Sequence, residues 1–128
     1  MDPKQAPCSP ETNPEILRAF RLMWDSFPSP AALLRKDRTV LACNPAAVAI
    51  GYREGARCFQ TFGDKGVHKH CRANEALRDG VAQRSVVYNV AKQAVGDSYW
   101  VPVPGEKDLF VHTVINITQY AKPELFQE

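Results

Sequence analysis

The chain is patterned as short apolar segments separated by polar turns, and the first segment has a helical period. Between Asn13 and Phe27, large apolar residues recur every three or four positions and so form one stripe on a helix. Asn13 followed by Pro14 is typical of a helix start, and Pro28-Ser29-Pro30 is typical of a helix end. The stripe consists of Ile16, Leu17, Phe20, Met23, Trp24 and Phe27. The pattern therefore predicts an amphipathic N-terminal helix that needs an apolar cover.

The next segment predicts a hairpin that leads directly into a short helix. Apolar residues at 32–35 and 39–43 flank the polar turn Lys36-Asp37-Arg38. Asn44 then caps a helix whose first residue is Pro45 and which Gly51 closes.

The rest of the chain predicts two further helices and then three strands. A short helical turn is expected at 53–62, and a longer helix from His68 or Lys69 to Arg78, with Asp79-Gly80 as its exit. Strands are predicted at 85–91, 98–103 and 109–117 from their β-branched and aromatic residues. This order favours an α+β fold, with a five-stranded antiparallel sheet that has short helices on one face. At 128 residues the chain has room for one domain at 13–122, between flexible tails at 1–12 and 123–128.

This arrangement resembles a PAS sensor domain. The resemblance rests on the turn at Asp37, on Asn44-Pro45-Ala46-Ala47, on Gly51 and on Ile115-Asn116-Ile117-Thr118. The last motif is similar to the family's terminal Asp-Ile-Thr, with Asn in place of Asp. The resemblance implies a stand-alone sensory module that binds a small molecule or cofactor in an internal pocket and signals through dimerisation or a partner protein. A ligand-free protein-interaction module is the alternative.

Composition and charge narrow the classes of function. The net charge of +2 is too small to predict nucleic-acid binding, and no apolar run approaches the roughly 20 residues of a membrane span. The N-terminus lacks the apolar core of a signal peptide, so a cytoplasmic location with reduced cysteines is expected. No Ser/His/Asp order, paired carboxylates or phosphate-binding glycine loop indicates an enzyme. Basic residues are concentrated between 51 and 72, either as a solvated face or as a mouth that attracts an anionic ligand or acidic partner.

Alternation along the last strand predicts the residues of the pocket. Leu109, Val111, Thr113, Ile115 and Ile117 form one set, apolar enough to meet the N-terminal helix. The opposite set contains two polar groups, which need partners that waters, backbone groups or a bound molecule could supply. The predicted ligand-binding residues are Phe110, His112, Val114 and Asn116, with Tyr99 and Val101 from the preceding strand and Cys43 and Asn44 from the hairpin.

A cluster of histidines and cysteines supports a second hypothesis, a haem or metal redox sensor. Cys58, His70 and Cys71 are candidate metal ligands, and with Cys43 they form a candidate iron–sulfur or metal cluster. His68 or His70 is the candidate haem ligand, since the proximal histidine of haem-binding PAS domains lies on the matching helix. Flavin is disfavoured because Gly55–Gln60 lacks the asparagine before the cysteine and the arginine after it that the photoactive PAS motif has. The alternative is that the cysteines are small buried apolar groups and that the histidines are surface residues.

The N-terminal helix also predicts an assembly. Its stripe is wide enough that one small sheet covers only part of it, and exposed apolar patches of this kind mark interfaces. PAS domains commonly dimerise through this helix, so a homodimer is predicted with contacts around Phe20, Met23 and Trp24.

Overall fold

The computed structural model describes residues 12–61, 66 and 70–127. In this part of the chain five antiparallel strands form one sheet in the order β2-β1-β5-β4-β3. The strands are β1 (Ala31–Arg35), β2 (Val40–Cys43), β3 (Gln83–Asn89), β4 (Ala94–Pro102) and β5 (Leu109–Asn116). The helices are α1 (Pro14–Trp24), α2 (Pro45–Ala49), α3 (Cys58–Thr61) and α4 (Ala73–Asp79). The predicted α+β fold class is confirmed.

Helix α1 covers part of the outer face of the sheet. The side chain of Asn13 accepts a hydrogen bond from the backbone N–H of Glu15 at 2.8 Å, and Pro14 occupies the first helical position, as the sequence predicted. The helix ends at Trp24 rather than Phe27, because the Phe27 N–H turns back to the Trp24 carbonyl. The buried side of α1 includes Phe20. It belongs to an outer core whose other members include Ala31, Leu33, Leu41, Ala42, Leu109 and Val111.

The hairpin of β1 and β2 is joined to its surroundings by the buried side chain of Asn44. The Oδ1 atom of Asn44 accepts from the backbone N–H groups of Ala31 at 3.0 Å and Ala47 at 2.9 Å, which caps α2 and holds the start of β1. Its Nδ2 donates to the carbonyls of Trp24, Phe27 and Ser29. One amide thus connects α1, the loop that follows it, β1 and α2.

Several elements differ from the sequence-based bounds, among them α4 and β4. Helix α4 begins at Ala73 and ends at Asp79, and its cap residue Gly80 has a φ of 66°, the left-handed conformation that glycine adopts readily. Strand β4 begins at Ala94, before the predicted start at Ser98, so it includes Gly96 and Asp97. A Cβ on Gly96 would lie 3.0 Å from Val114, which explains why glycine is accommodated inside a strand here.

The structure describes the two predicted terminal tails to different extents. The N-terminal tail lies outside the described residues except for Thr12, which is buried. At the other end Pro123–Leu125 forms a 3-10 turn, and the ring of Phe126 meets that of Tyr88 edge-on at 5.5 Å. The C-terminal segment therefore packs against β3 instead of extending as a tail.

Candidate functional site

A small cavity lies on the inner face of the sheet, where the sheet meets the helices α2, α3 and α4. Its volume is about 30 Å³, which is room for about two water molecules. The residues that line it come from β1, the hairpin turn, the segments around α3 and α4, and strands β4 and β5. They are Leu34, Arg38, Tyr52, Cys58, Phe59, Cys71, Trp100, Phe110 and His112.

The pairing of β4 with β5 builds the floor of this cavity. Trp100 lies opposite His112, and residues that pair directly point to the same face of a sheet. Their rings stack with centroids 4.8 Å apart and an angle of 15° between the planes. The Nδ1 of His112 is 2.9 Å from the carbonyl oxygen of Tyr99. Since a carbonyl only accepts, this contact places a proton on Nδ1 and fixes the orientation of the imidazole.

Arg38, in the turn between β1 and β2, is the charged residue of the cavity wall. Its φ of 76° is left-handed, and its side chain is folded inward so that only 3% of the residue is exposed. Nη1 donates to the carbonyl of Lys36 and to Oδ1 of Asn74, the latter at 3.3 Å. Nη2 lies 3.6 Å from the sulfur of Cys71, and the guanidinium carbon lies 5.7 Å from the centre of the Phe110 ring.

Two ionisable groups that line the cavity, Cys58 and Tyr52, are shifted toward their neutral forms. Burial, together with the nearby thiol of Cys71, raises the pKa of Cys58 from 9.0 to about 11, although the charge of Arg38 opposes this shift. Burial also raises the pKa of the Tyr52 hydroxyl well above its ordinary value. At neutral pH these two groups therefore add no negative charge beside Arg38.

Two of the predicted pocket residues line the cavity, and two lie farther along the same strand. Phe110 and His112 are in the cavity wall. Val114 and Asn116 share their face by alternation but lie toward the end of β5. Asn116 accepts a hydrogen bond from the N–H of Thr118 at 2.9 Å, so its side chain orders the turn that follows the sheet.

The structure places Tyr99 and Val101 on the opposite face of the sheet from the one predicted. These residues pair with Thr113 and Val111, which belong to the outer set of β5, so both lie on the face opposite the cavity. The sequence analysis placed the odd-numbered residues of this strand inside, whereas the register puts Trp100 there. Tyr99 instead lies beneath the guanidinium of Arg84, 5.5 Å from ring centre to guanidinium carbon.

The two hairpin residues predicted to bind ligand also lie away from the cavity lining. Cys43 is buried in the inner core beside Ala32 and Ala47, where burial raises the pKa of its thiol. Asn44 is fully buried, and its amide is engaged in the hydrogen bonds that join the hairpin to α1 and α2. Both residues therefore contribute to the fold and do not line the cavity.

The proposed metal site is not assembled in the described part of the chain. Among residues 12–61, 66 and 70–127, no three histidine, cysteine or acidic side chains come close enough to hold a metal ion. Cys58 and Cys71 both line the cavity, but His70 is exposed. His68 lies outside the described residues. A haem needs a pocket of several hundred Å³, so it does not fit the cavity of about 30 Å³ as the structure has it.

Sequence reasoning missed Arg38, Trp100, Tyr52 and Leu34 as lining residues. A charged residue in a polar turn ordinarily faces water, so the pattern contains no signal for the burial of Arg38. The alternation of β4 could have identified Trp100, had its register with β5 been known.

The outer surface of α1 carries the largest exposed apolar side chains of that helix. Leu22 is 84% exposed and Met23 is 74% exposed. Phe20 is buried against the sheet, so of the residues predicted at the dimer contact, Phe20, Met23 and Trp24, only Met23 is largely exposed. Trp24 packs at the edge of the outer core. No helix in the described ranges is both long and apolar enough to cross a bilayer.

Comparison with known proteins supports the fold. No protein-family model matches the sequence, and no curated protein matches it. A sensory box sensor histidine kinase from Vibrio cholerae matches with a TM-score of 0.60 and 14% identity, over 86% of this chain and 99% of that one. A domain of an HTR-like protein from Haloarcula marismortui has a TM-score of 0.59 and 22% identity, over 71% of this chain and 99% of that one.

A third similar structure is an RNA-binding light-oxygen-voltage receptor. Its TM-score is 0.56 and its identity 17%, over 89% of this chain and 36% of that one. These similar structures are PAS domains, and the sheet order and inner-face helices described above are shared features of that architecture. The chain therefore has the fold of a PAS domain.

Proposed function

We propose that this protein is a sensory rather than catalytic domain, which binds a small molecule in the cavity on the inner face of its sheet. The observation that supports this most directly is the cavity itself, where aromatic walls meet two polar side chains held in defined orientations. Trp100 and Phe110 provide the walls, and His112 and Arg38 provide the polar groups. A largely apolar cavity with a few convergent polar groups is the usual form of a ligand site. The fold shared with a sensory box domain agrees with this role.

The fluorescence of Trp100 tests the proposal. The chain has two tryptophans, so Trp24→Phe leaves Trp100 as the single reporter in the cavity wall. The probes are anionic, neutral and cationic molecules of three to six heavy atoms, a size chosen for a site of roughly two waters. We expect at least one to change the fluorescence saturably.

A second variant controls for binding elsewhere. Cys58→Leu enlarges a side chain that lines the cavity, so it should abolish the saturable change while the protein stays folded by circular dichroism. If no probe changes the fluorescence, or if the change persists in Cys58→Leu, the ligand-sensing proposal fails. The alternative of a ligand-free interaction module would then be favoured.

The exposed surface of α1 supports a further proposal, that the domain signals through a homodimer. Leu22 and Met23 are adjacent and both largely exposed, and contiguous exposed apolar surface is typical of an interface. We keep Met23 from the predicted contact and replace Phe20 and Trp24 with Leu22, in an isologous arrangement of two copies. A partner protein that docks on the same surface is the alternative.

Sedimentation of the purified chain distinguishes these cases. We expect a dimer at tens of micromolar that dissociates in Met23→Glu without loss of folding. Val81→Glu is the matched control, because Val81 is also exposed, at 59%, but lies beyond α4. A monomeric wild-type protein, or equal dissociation in both variants, would contradict the homodimer through α1.

A further inference from the structure

We propose that the ligand of the cavity is a small planar oxyanion, a carboxylate of a few atoms, and that the guanidinium of Arg38 binds it. This inference rests on the proposed ligand-sensing function and assigns its chemical class. It follows from a buried positive charge that has no carboxylate partner among the described residues.

The charge of Arg38 has no counter-ion in the described residues. Its hydrogen-bond acceptors are the carbonyl of Lys36, the amide oxygen of Asn74 and the sulfur of Cys71, none of which is a carboxylate. No carboxylate within residues 12–61, 66 and 70–127 lies within 4.0 Å of it, whereas Arg21, Arg72, Arg78 and Arg84 each form such an ion pair. Buried charges are ordinarily paired, because removing an ion from water without compensation is costly.

The hydrogen-bonding capacity of the same guanidinium is incompletely used. The Nε–H of Arg38 is buried without an acceptor in the described part of the chain. Nε and Nη2 form one edge of the guanidinium, and Nη2 has only the sulfur of Cys71 as an acceptor, at 3.6 Å. Sulfur accepts weakly. Two parallel N–H groups on one edge of a guanidinium match the two oxygens of a carboxylate, which makes this pairing stronger and more directional than a neutral contact.

The surroundings restrict which anion fits. The cavity of about 30 Å³ has room for a ligand of a few heavy atoms. Its apolar wall includes Phe110 and Trp100, which suits a short hydrocarbon group attached to the charged end. The thiol of Cys58 is protonated at neutral pH, so it does not compete as the counter-ion. A planar oxyanion the size of formate or acetate meets these conditions better than a tetrahedral phosphate.

The experiment compares a charged probe with its neutral counterpart. Acetate and acetamide have nearly the same shape, so the difference in their binding reports the charge. Binding is measured by calorimetric titration and by the rise in melting temperature at constant ionic strength, since a ligand of the folded state stabilises it in proportion to the logarithm of its concentration. We expect acetate to bind saturably and acetamide at least about tenfold more weakly.

Three variants assign the effect to the guanidinium. Arg38→Met keeps the apolar stem and removes the charge, and should reduce acetate affinity at least about tenfold. Arg38→Lys keeps the charge without the planar edge and should also weaken binding, which preserves the test if Arg38→Met does not fold. Arg57→Met is the matched control, because Arg57 is an exposed cation beside the same hairpin, paired in a backbone bridge with Thr39. It should leave acetate affinity unchanged.

The outcomes separate this inference from the function on which it rests. If neutral probes bind the cavity as well as acetate does, or if acetate binds the folded Arg38 variants normally, the anion assignment is wrong while the ligand-sensing proposal stands. If phosphate or sulfate binds in place of acetate, the planar class is wrong. If no probe binds the wild-type protein, both proposals fail.

Discussion

The buried amide of Asn44 allows a prediction whose size follows from the structure. Asn44→Ala removes the acceptor of the buried backbone N–H of Ala31 and one of the two acceptors of the Ala47 N–H, which also donates to the carbonyl of Asn44 at 3.0 Å. A buried donor left without a partner costs about 1–3 kcal/mol, and loss of the side-chain cap of α2 costs about 1 kcal/mol, so the substitution should cost about 2–4 kcal/mol. The carbonyls that lose a donor add nothing to this figure, because they are partly buried and can accept hydrogen bonds from water. The loss is a large fraction of the total stability of roughly 5–15 kcal/mol typical of a domain.

Asn13 provides a matched control for this prediction. Both residues are asparagines that cap a helix and precede a proline, but Asn13 is exposed and its side chain makes one cap hydrogen bond, to the N–H of Glu15. Asn13→Ala should cost about 1 kcal/mol, as cap replacements usually do. Urea unfolding followed by circular dichroism gives both values from the midpoint and slope.

The comparison of the two alanine variants tests the role assigned to Asn44. If Asn44→Ala destabilised the protein no more than Asn13→Ala, the role of Asn44 as the residue that joins the hairpin to two helices would be wrong. If Asn44→Ala does not fold, Asn44→Asp retains the oxygen that accepts from Ala31 and Ala47. It should then be folded but less stable than the wild type, since its carboxylate faces three carbonyls.

Three further predictions concern the inner face. Because the pKa of Cys58 is raised to about 11, its alkylation by iodoacetamide at pH 8 should be about 100-fold slower than that of a thiol of ordinary pKa. The rate, measured by peptide mass spectrometry, should increase as the pH rises toward 11. Rapid labelling at pH 8 would contradict the burial of Cys58. The same shift predicts that stability is greatest below the unfolded-state pKa near 9.0 and falls as the pH rises through about 11, and Cys58→Ala should lack this component. Gly96→Ala places a Cβ 3.0 Å from Val114, so it should lower the free energy of unfolding by about 1–3 kcal/mol; an unchanged melting temperature would show that β4 and β5 do not approach as closely as described.

The sequence predicted the order of elements well because local signals agree with the fold. The caps at Asn13 and Asn44, each followed by proline, determine where two helices begin, and the alternation along 109–117 determines the central strand. Strand β4 was predicted too short because Gly96 and Asp97 are typical of turns. In the fold Asp97 forms an ion pair with Arg84 on the outer face, with oxygen and nitrogen 2.7 Å apart.

The candidate site was predicted less well, for a physical reason. Alternation shows which residues share a face, but both faces of this sheet are covered, so polarity does not tell which face is inside. Phe110 and His112 were placed correctly, whereas Tyr99 and Val101 were not, because the register between β4 and β5 depends on contacts remote in sequence. The side chain of Arg38 points inward from a turn residue with a left-handed φ, and no local residue preference predicts that conformation for arginine.

The Nε–H of Arg38 allows a direct test of the proposal that the inner cavity binds a small anionic ligand. In nitrogen-15-labelled protein its resonance is identified by its absence from Arg38→Lys, and buried Nε–H groups exchange slowly enough with water to be observed. Titration with sodium acetate, against sodium chloride at equal ionic strength, should move this proton resonance saturably to higher chemical shift, because a new hydrogen bond to a carboxylate deshields the proton. A resonance that stays in place, or that moves equally with chloride, would contradict the claim.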